Sequence, residues 1–303
     1  MDEMFYWLFN MSIAASLAGA VVVILRLIKK IPRRIIVILW IIPLLRFLFP
    51  LGVNSRYGLM ELLSKYMTRT VVVYDGVFAD FSMMNSAMVA ESYFPVTYKT
   101  DLFSDVFRYA SIVWAIIACA LIITMFILYT STVSELKSAE HLYGIVYRSE
   151  RIASPAVYGI FRPKIVIPTS YKESANLDFI ILHERRHIRR LDNLWRIVAF
   201  LTAAIHWFNP LTWIFLKLYL SDVELACDES VLSNLSDDER GRYAHALLDA
   251  CESKGIFASS FGGAKIRTRI EHIISFKKMT VLSAAGFGVF TAVIAYILLT
   301  NAA

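Results

Sequence analysis

The chain has 303 residues, 57% of them hydrophobic and 18% charged, with a formal net charge of +6. Soluble domains run nearer to roughly 45–50% apolar, so the excess excludes an ordinary water-soluble globule and points to a membrane. Much of the positive charge flanks apolar runs, so membrane orientation explains it better than nucleic acid, and direct nucleic-acid binding is not expected.

In chain order, Met4 to Leu25 is an uncharged apolar run led by Asp2 and Glu3. A signal peptide begins basic, and this run is long enough to cross a bilayer, so it reads as the first transmembrane helix. Ile35 to about Val53 reads as the second, interrupted by Pro43 and Arg46, with Arg46 expected to snorkel to the interface. Tyr109–Thr132 and Thr280–Thr300 read as the third and fourth, both uncharged. The loop between the first two spans carries Arg26, Lys29, Lys30, Arg33 and Arg34, which assigns it to the cytoplasm and the N-terminus to the outside. The outer segment holds a strand-like Thr70–Tyr74 and a Met/Phe-rich patch, Phe78–Met88, and reads as a partly ordered connector, with a lid, a lipid-contacting loop or a partner site as the alternatives. The cysteines Cys119, Cys227 and Cys251 have no CxxC spacing, so reduced thiols are expected.

The residues that carry chemistry begin at His183-Glu184-Arg185-Arg186-His187. Two imidazoles four positions apart share one helix face and can reach one metal ion. Glu184 beside them can take a proton from a water that the ion activates. Zinc then lacks a third protein ligand, and Glu224 is the candidate. Glu224 and Asp228 also share a helix face, so Asp228 would accept the far N–H of a ligand His, most simply His183. Cys227 is expected to point off the Glu224 face and to pack as a buried thiol, with a metal ligand or a redox switch as the alternative. Asp192 is either a further partner of a ligand His or a helix-end residue. The sequence names no oxyanion partner; a His, or a Tyr such as Tyr171 or Tyr243, is an option.

Between the two halves of the site, Leu194–Leu220 is long and apolar enough to cross a membrane. One crossing would separate Glu224 from His183 by about 30 Å. Asn209-Pro210 resolves the conflict by breaking the run near its middle, which gives a re-entrant or buried helical hairpin over 194–220. His206, near the turn, is expected to make a structural hydrogen bond. Ile165-Val166-Ile167, bounded by Pro163 and Pro168, reads as a short edge strand to which an extended substrate could add. Arg267 and Arg269 read as membrane-surface charge.

Taken together, His183-Glu184-x-x-His187-Ile188, Arg190-x-Asp192, His206-x-Phe208-Asn209-Pro210 and Glu224-x-x-Cys227-Asp228 resemble the signal-transducing membrane metallopeptidases of the BlaR/MecR type. Ser154–Gly159 and Arg162–Pro168 look like that family's strand region ahead of the zinc helix. The resemblance runs over essentially the whole chain. It implies a mainly α, polytopic protein of the cell membrane with four transmembrane helices and a cytoplasmic zincin-like metalloprotease domain containing a short β region.

The expected organisation is spans 1 and 2 over 1–53, an extracellular loop over 54–108, span 3 over 109–132, the protease domain over 133–279 and span 4 over 280–303. Its expected chemistry is Zn2+-dependent endopeptidase action, with His183, His187 and Glu224 as ligands and Glu184 as base. The implied function is antirepressor signalling in antibiotic resistance: an outside signal leads to cleavage of a cytoplasmic transcriptional repressor, of the chain itself, or of both. With no penicillin-binding domain expected after the fourth span, the stimulus would be sensed by the outer loop or by a separate sensor protein. The lipid bilayer and a second copy of the chain complete the expected partners. Two rivals stay open: a housekeeping membrane protease of the HtpX type, and a catalytically silent signalling protein clamped by zinc.

Overall fold

A computed structural model describes residues 4–49, 55–59, 101–152, 154–169, 177–252 and 266–300. Tyr171, Thr70–Tyr74, Phe78–Met88 and Gly262-Gly263 lie outside the described residues. The elements are α1 (Met4–Leu27), α2 (Arg33–Leu39), α3 (Ile41–Leu48), α4 (Asp101–Glu135), β1 (Glu140–Tyr143), β2 (Val146–Ser149), β3 (Ala156–Tyr158), β4 (Lys164–Pro168), α5 (Leu177–Arg189), α6 (Asp192–Ile205), α7 (Pro210–Leu232), α8 (Asp237–Glu252), α9 (Ile266–Ile274) and α10 (Val281–Leu299).

Among the described residues, three helical stretches are long and apolar enough to cross a membrane: Trp7–Leu27, Val106–Ser134 and Val281–Leu299. Only 17% of the second and 6% of the third is covered by the rest of the protein, which leaves apolar flanks for lipid. The second expected span is instead α2 and α3, joined at Trp40. Pro43 explains the break, because it has no N–H to return to the Leu39 carbonyl. The described Arg33–Leu48 part of that span rises about 24 Å, against a bilayer core of about 30 Å, and the expected continuation to Val53 lies outside the described residues. Arg46 does not snorkel. It is fully buried, and its Nε and Nη2 donate to the carbonyls of Leu298 (2.5 Å) and Thr300 (2.7 Å) at the end of α10. A cation there satisfies carbonyls that the helix leaves unpaired and complements its dipole.

α6 and α7 form a hairpin around His206–Asn209. The Asn209 side chain caps α7 by accepting from Leu211 N–H at 2.9 Å, and Pro210 follows at a position where its missing N–H costs nothing. Several other polar groups of the turn find partners in neighbouring helices. Asn209 Nδ2 donates to Ser12 and Ser16 of α1, both at 2.7 Å. His206 Nε2 donates to the Phe47 carbonyl at 2.9 Å, which is the structural role expected of it. Trp114 Nε1 of α4 donates to the Ile205 carbonyl at 2.6 Å.

α7 sits at the centre of the molecule. Its first part joins Ala15, Ala18 and Val22 of α1 and Ile36 and Leu39 of α2 in one apolar cluster through Phe215, Leu216, Tyr219 and Val223. Gly19 makes room for this, since a Cβ there would collide with the Phe215 ring. The end of α7 joins a second cluster through Val231 and Leu232, with Tyr243 and Leu247 of α8 and Ile273 of α9. In the third cluster Val146, Ile165 and Ile167 of the sheet cover Ile181 of α5.

The sheet order is β1-β2-β4-β3. β4 pairs with β2 in parallel (Tyr147 opposite Val166) and with β3 antiparallel (Val157 opposite Ile165). The expectation that Ile165-Val166-Ile167 forms an edge strand is therefore wrong. Both edges of β4 are used, and all three side chains are fully buried. Two partners explain the continuous apolar run, which suits a strand covered on both faces.

Candidate metal centre

α5 presents His183 and His187 on its inner face, both at most 5% exposed, with Glu184 buried beside them. Their Nε2 atoms lie 3.1 Å apart. Glu224 of α7 comes to the same point, with Oε2 at 3.6 Å from His183 Nε2 and Oε1 at 3.7 Å from His187 Nε2.

The other ring nitrogens are anchored. His187 Nδ1 donates to Asp192 Oδ2 at 2.6 Å. Tyr243 donates to Asp228 Oδ1 at 2.7 Å, so its oxygen is free to accept from His183 Nδ1 at 2.8 Å. Asp228 Oδ1 itself lies 3.3 Å from that nitrogen. With each proton held on Nδ1, both Nε2 lone pairs point at one space. Two facing lone pairs and a carboxylate at these separations call for a cation. Tetrahedral zinc about 2.0–2.1 Å from each nitrogen would set them about 3.3 Å apart, so the residues fit a metal.

Asp192 reaches His187 because of the α5–α6 junction. Leu191 takes the left-handed conformation (φ 56°, ψ 32°), and α6 starts at Asp192 one residue later. That conformation costs a branched residue about 1–2 kcal/mol, and the turn it makes brings the carboxylate back over the imidazole.

Two guanidinium groups complete the site. Arg196 Nη2 donates to Glu224 Oε1 at 2.5 Å. Arg269 of α9 grips Asp228 with two parallel bonds, Nε to Oδ2 at 2.8 Å and Nη2 to Oδ1 at 2.7 Å, and its Nη1 stands 3.5 Å from Glu224 Oε2. Burial alone would raise the Glu224 carboxyl, but His187, His183, Arg196 and Arg269 outweigh it and hold the group well below the usual range. Asp228 is likewise held low against burial, chiefly by Arg269. Burial pulls His187 down, yet Cys227, Glu224 and Asp192 raise it to about 9. The pocket is thus an anionic surrounding that favours a positive occupant. Glu184 is near enough to Arg196 to add to that guanidinium's basicity.

The structure brings together His183, Glu184, His187, Glu224 and Asp228, and it alters three readings. Tyr243 is fully buried behind His183, so it supports a ligand rather than facing an oxyanion. Arg269 is buried within α9 and bound to Asp228, so it is not surface charge, whereas Arg267 is exposed and pairs with Glu271 at 2.8 Å. Cys227 does not point away. Its Sγ and a ligand nitrogen of each His all lie within 4.8 Å of one another. Positions three apart on a helix are only about 60° apart, so Cys227 and Glu224 flank one face. Burial raises the Cys227 thiol, but the two imidazoles outweigh this and lower it. Sequence reasoning missed Arg196 and Arg269 as members of the site. Arg196 stands four residues after Asp192 on one helix, a spacing that could have revealed it. Arg269, 86 residues from His183, has no local signal.

Comparison with known proteins identifies a family. The family model described as BlaR1 peptidase M56 matches residues 6–273. The regulatory protein BlaR1 of Bacillus licheniformis is 31% identical over 168 residues, 52% of this chain and 28% of that protein. The regulatory protein BlaR1 of Staphylococcus aureus is 32% identical over 129 residues, 40% of this chain and 22% of that protein. The methicillin resistance mecR1 protein of Staphylococcus aureus (strain Mu50 / ATCC 700699) is 34% identical over 103 residues, 33% of this chain and 18% of that protein. The matches span less than a third of the length of each of these relatives.

Proposed function

Because the chain belongs to the BlaR1 peptidase M56 family, we propose that it is a membrane-embedded zinc metalloendopeptidase that answers an outside signal by cleaving a cytoplasmic transcriptional repressor, itself, or both. The observation that carries this reading is the convergence of His183 Nε2, His187 Nε2 and Glu224 on one point, with Glu184 buried alongside.

His183, His187 and Glu224 would hold the ion, and zinc suits two imidazoles and a carboxylate with room for a further ligand. When bound, the metal would polarise the scissile carbonyl and acidify an attacking water. Glu184 takes that water's proton and delivers it to the leaving amine. Asp192, and Tyr243 backed by Asp228, keep the Nδ1 protons in place so that each Nε2 faces inward. Arg196 and Arg269 keep Glu224 ionised and positioned.

Contacts to the basic turn support a cytoplasmic site. Arg26 Nε donates to Asp222 at 2.9 Å, and the backbone N–H groups of Arg33 and Arg34 donate to Glu229 at 2.8 and 3.1 Å. These bonds hold the Arg26–Arg34 turn beside the end of α7 that carries Glu224. Basic residues flanking spans stay inside, so the metal centre lies inside with them. The hydrogen bonds that Ile205, His206 and Asn209 make to neighbouring helices support a hairpin dipping to membrane depth, where irregular backbone is tolerated only when protein covers it.

The test compares cleavage products of wild type and Glu184→Gln in membranes containing a nearby repressor-type substrate. Wild type should yield fragments and the variant none, with unchanged zinc content. Equal fragments from both would refute the assignment.

A further inference from the structure

Cys227 is a buried nucleophile that this mechanism leaves unused. It is fully buried and unpaired with another cysteine, and its thiol reaches the His183 carbonyl at 3.5 Å. Its Sγ shares a 4.8 Å neighbourhood with the ligand nitrogens of both His183 and His187. An ion about 2.3 Å from sulfur and 2.0–2.1 Å from nitrogen has sulfur–nitrogen edges of about 3.6 Å, inside that reach. Glu224, on the same helix, is meanwhile shared with Arg196 and Arg269. A soft thiolate is therefore the strongest additional donor that α7 offers.

We infer that Cys227 is a fourth protein ligand of this centre, and that its sulfur closes the position an attacking water needs. Three protein ligands make an open, catalytic site, and four make a closed, structural one. On closing, the thiol gives its proton to solvent and a sulfur–metal bond forms. On opening, that bond breaks, the sulfur takes up a proton and the position becomes free for water. No oxidant or reductant is needed. The inference rests on the metal centre proposed above and makes its resting form latent.

The fold supplies a route for opening it. Asp222 and Glu229 lie five residues before and two after Cys227 on α7. They hold Arg26, Arg33, Arg34 and the Trp40 indole, which donates to Asp222 at 3.0 Å. A shift of α1 and α2 therefore pulls on the helix that carries the sulfur. This is a continuous set of bonded contacts ending on a two-state element, the sulfur bound or released.

X-ray absorption at the zinc edge tests this on the full chain in detergent, loaded with zinc and without stimulus. The expected spectrum has one sulfur neighbour at about 2.3 Å beside nitrogen and oxygen, and Cys227→Ser should lose the sulfur while keeping the zinc. Bound zinc with only nitrogen and oxygen neighbours in wild type overturns the inference but leaves the protease reading standing. A sulfur signal that survives Cys227→Ser also overturns it, by assigning the sulfur elsewhere. Failure of wild type to bind zinc overturns both readings. The wild-type spectrum decides even if the variant does not fold.

Discussion

The two helices that build the centre differ in how they are held. α5 contributes a local motif: His183, Glu184 and His187 sit within five residues, and the support for His187 comes from Asp192 five positions on. α7 is gripped all round by partners far along the chain. Its metal-side residues meet Arg196, Tyr243 and Arg269, while Asp222 and Glu229 meet α1 and α2 nearly 200 residues away. The difference teaches that α5 supplies the chemistry and α7 couples it to the membrane hairpin. A helix bonded on several sides cannot move without moving its neighbours.

If that contrast is right, long-range partners of α7 should matter most to the fold. Arg269→Ala leaves Asp228 buried without its cation and should cost about 3–5 kcal/mol, read as a large drop in unfolding temperature in detergent. Arg267→Ala, two residues away and fully exposed, should leave that temperature unchanged. Equal effects would break the distinction.

The supports of the two imidazoles should come next. Asp192→Asn and Tyr243→Phe each weaken the hold on an Nδ1 proton and should lower zinc affinity about 10–100-fold, measured by competition with a chelator. The Asp192 effect should stay confined to metal binding. Tyr243→Phe should also lower stability, because it removes a bond to the buried Asp228.

The smallest effect belongs to the membrane-side tie. Burial raises Glu229, but His272 and the backbone N–H groups of Arg33 and Arg34 outweigh it and hold the carboxyl below its usual value. A folded pKa below the unfolded one stabilises above the ordinary carboxylate pKa of about 4.3, and that contribution fades as pH falls through the folded value. Glu229→Gln should thus cost about 1 kcal/mol at neutral pH, and the gap from wild type should narrow below about pH 4. A gap that widens in acid would contradict the assignment.

The same contrast explains what was legible in the sequence. The α5 motif and the Glu224–Asp228 spacing are local, so helix periodicity alone places them. Asn209-Pro210 marks the hairpin turn because proline's effect is also local. Tyr243 and Arg269 reach His183 across 60 and 86 residues, and no local pattern encodes such contacts. β4 was misplaced at an edge because flanking prolines look the same whether or not a parallel strand such as β2 pairs alongside. Arg46 was misread because its partners, the α10 carbonyls, stand more than 250 residues away. Cys227 was misjudged by geometry alone, since a 60° offset on a helix still reaches a neighbouring ligand.

The central claim is that one metal is bound jointly by α5 and α7, and metal analysis of the purified chain tests it most directly. Wild type should carry one zinc per chain, and the double variants His183→Ala/His187→Ala and Glu224→Ala/Cys227→Ala should each lose most of it while Glu184→Gln keeps it. A wild type without zinc, or a Glu224→Ala/Cys227→Ala variant that retains it in full, would contradict the account.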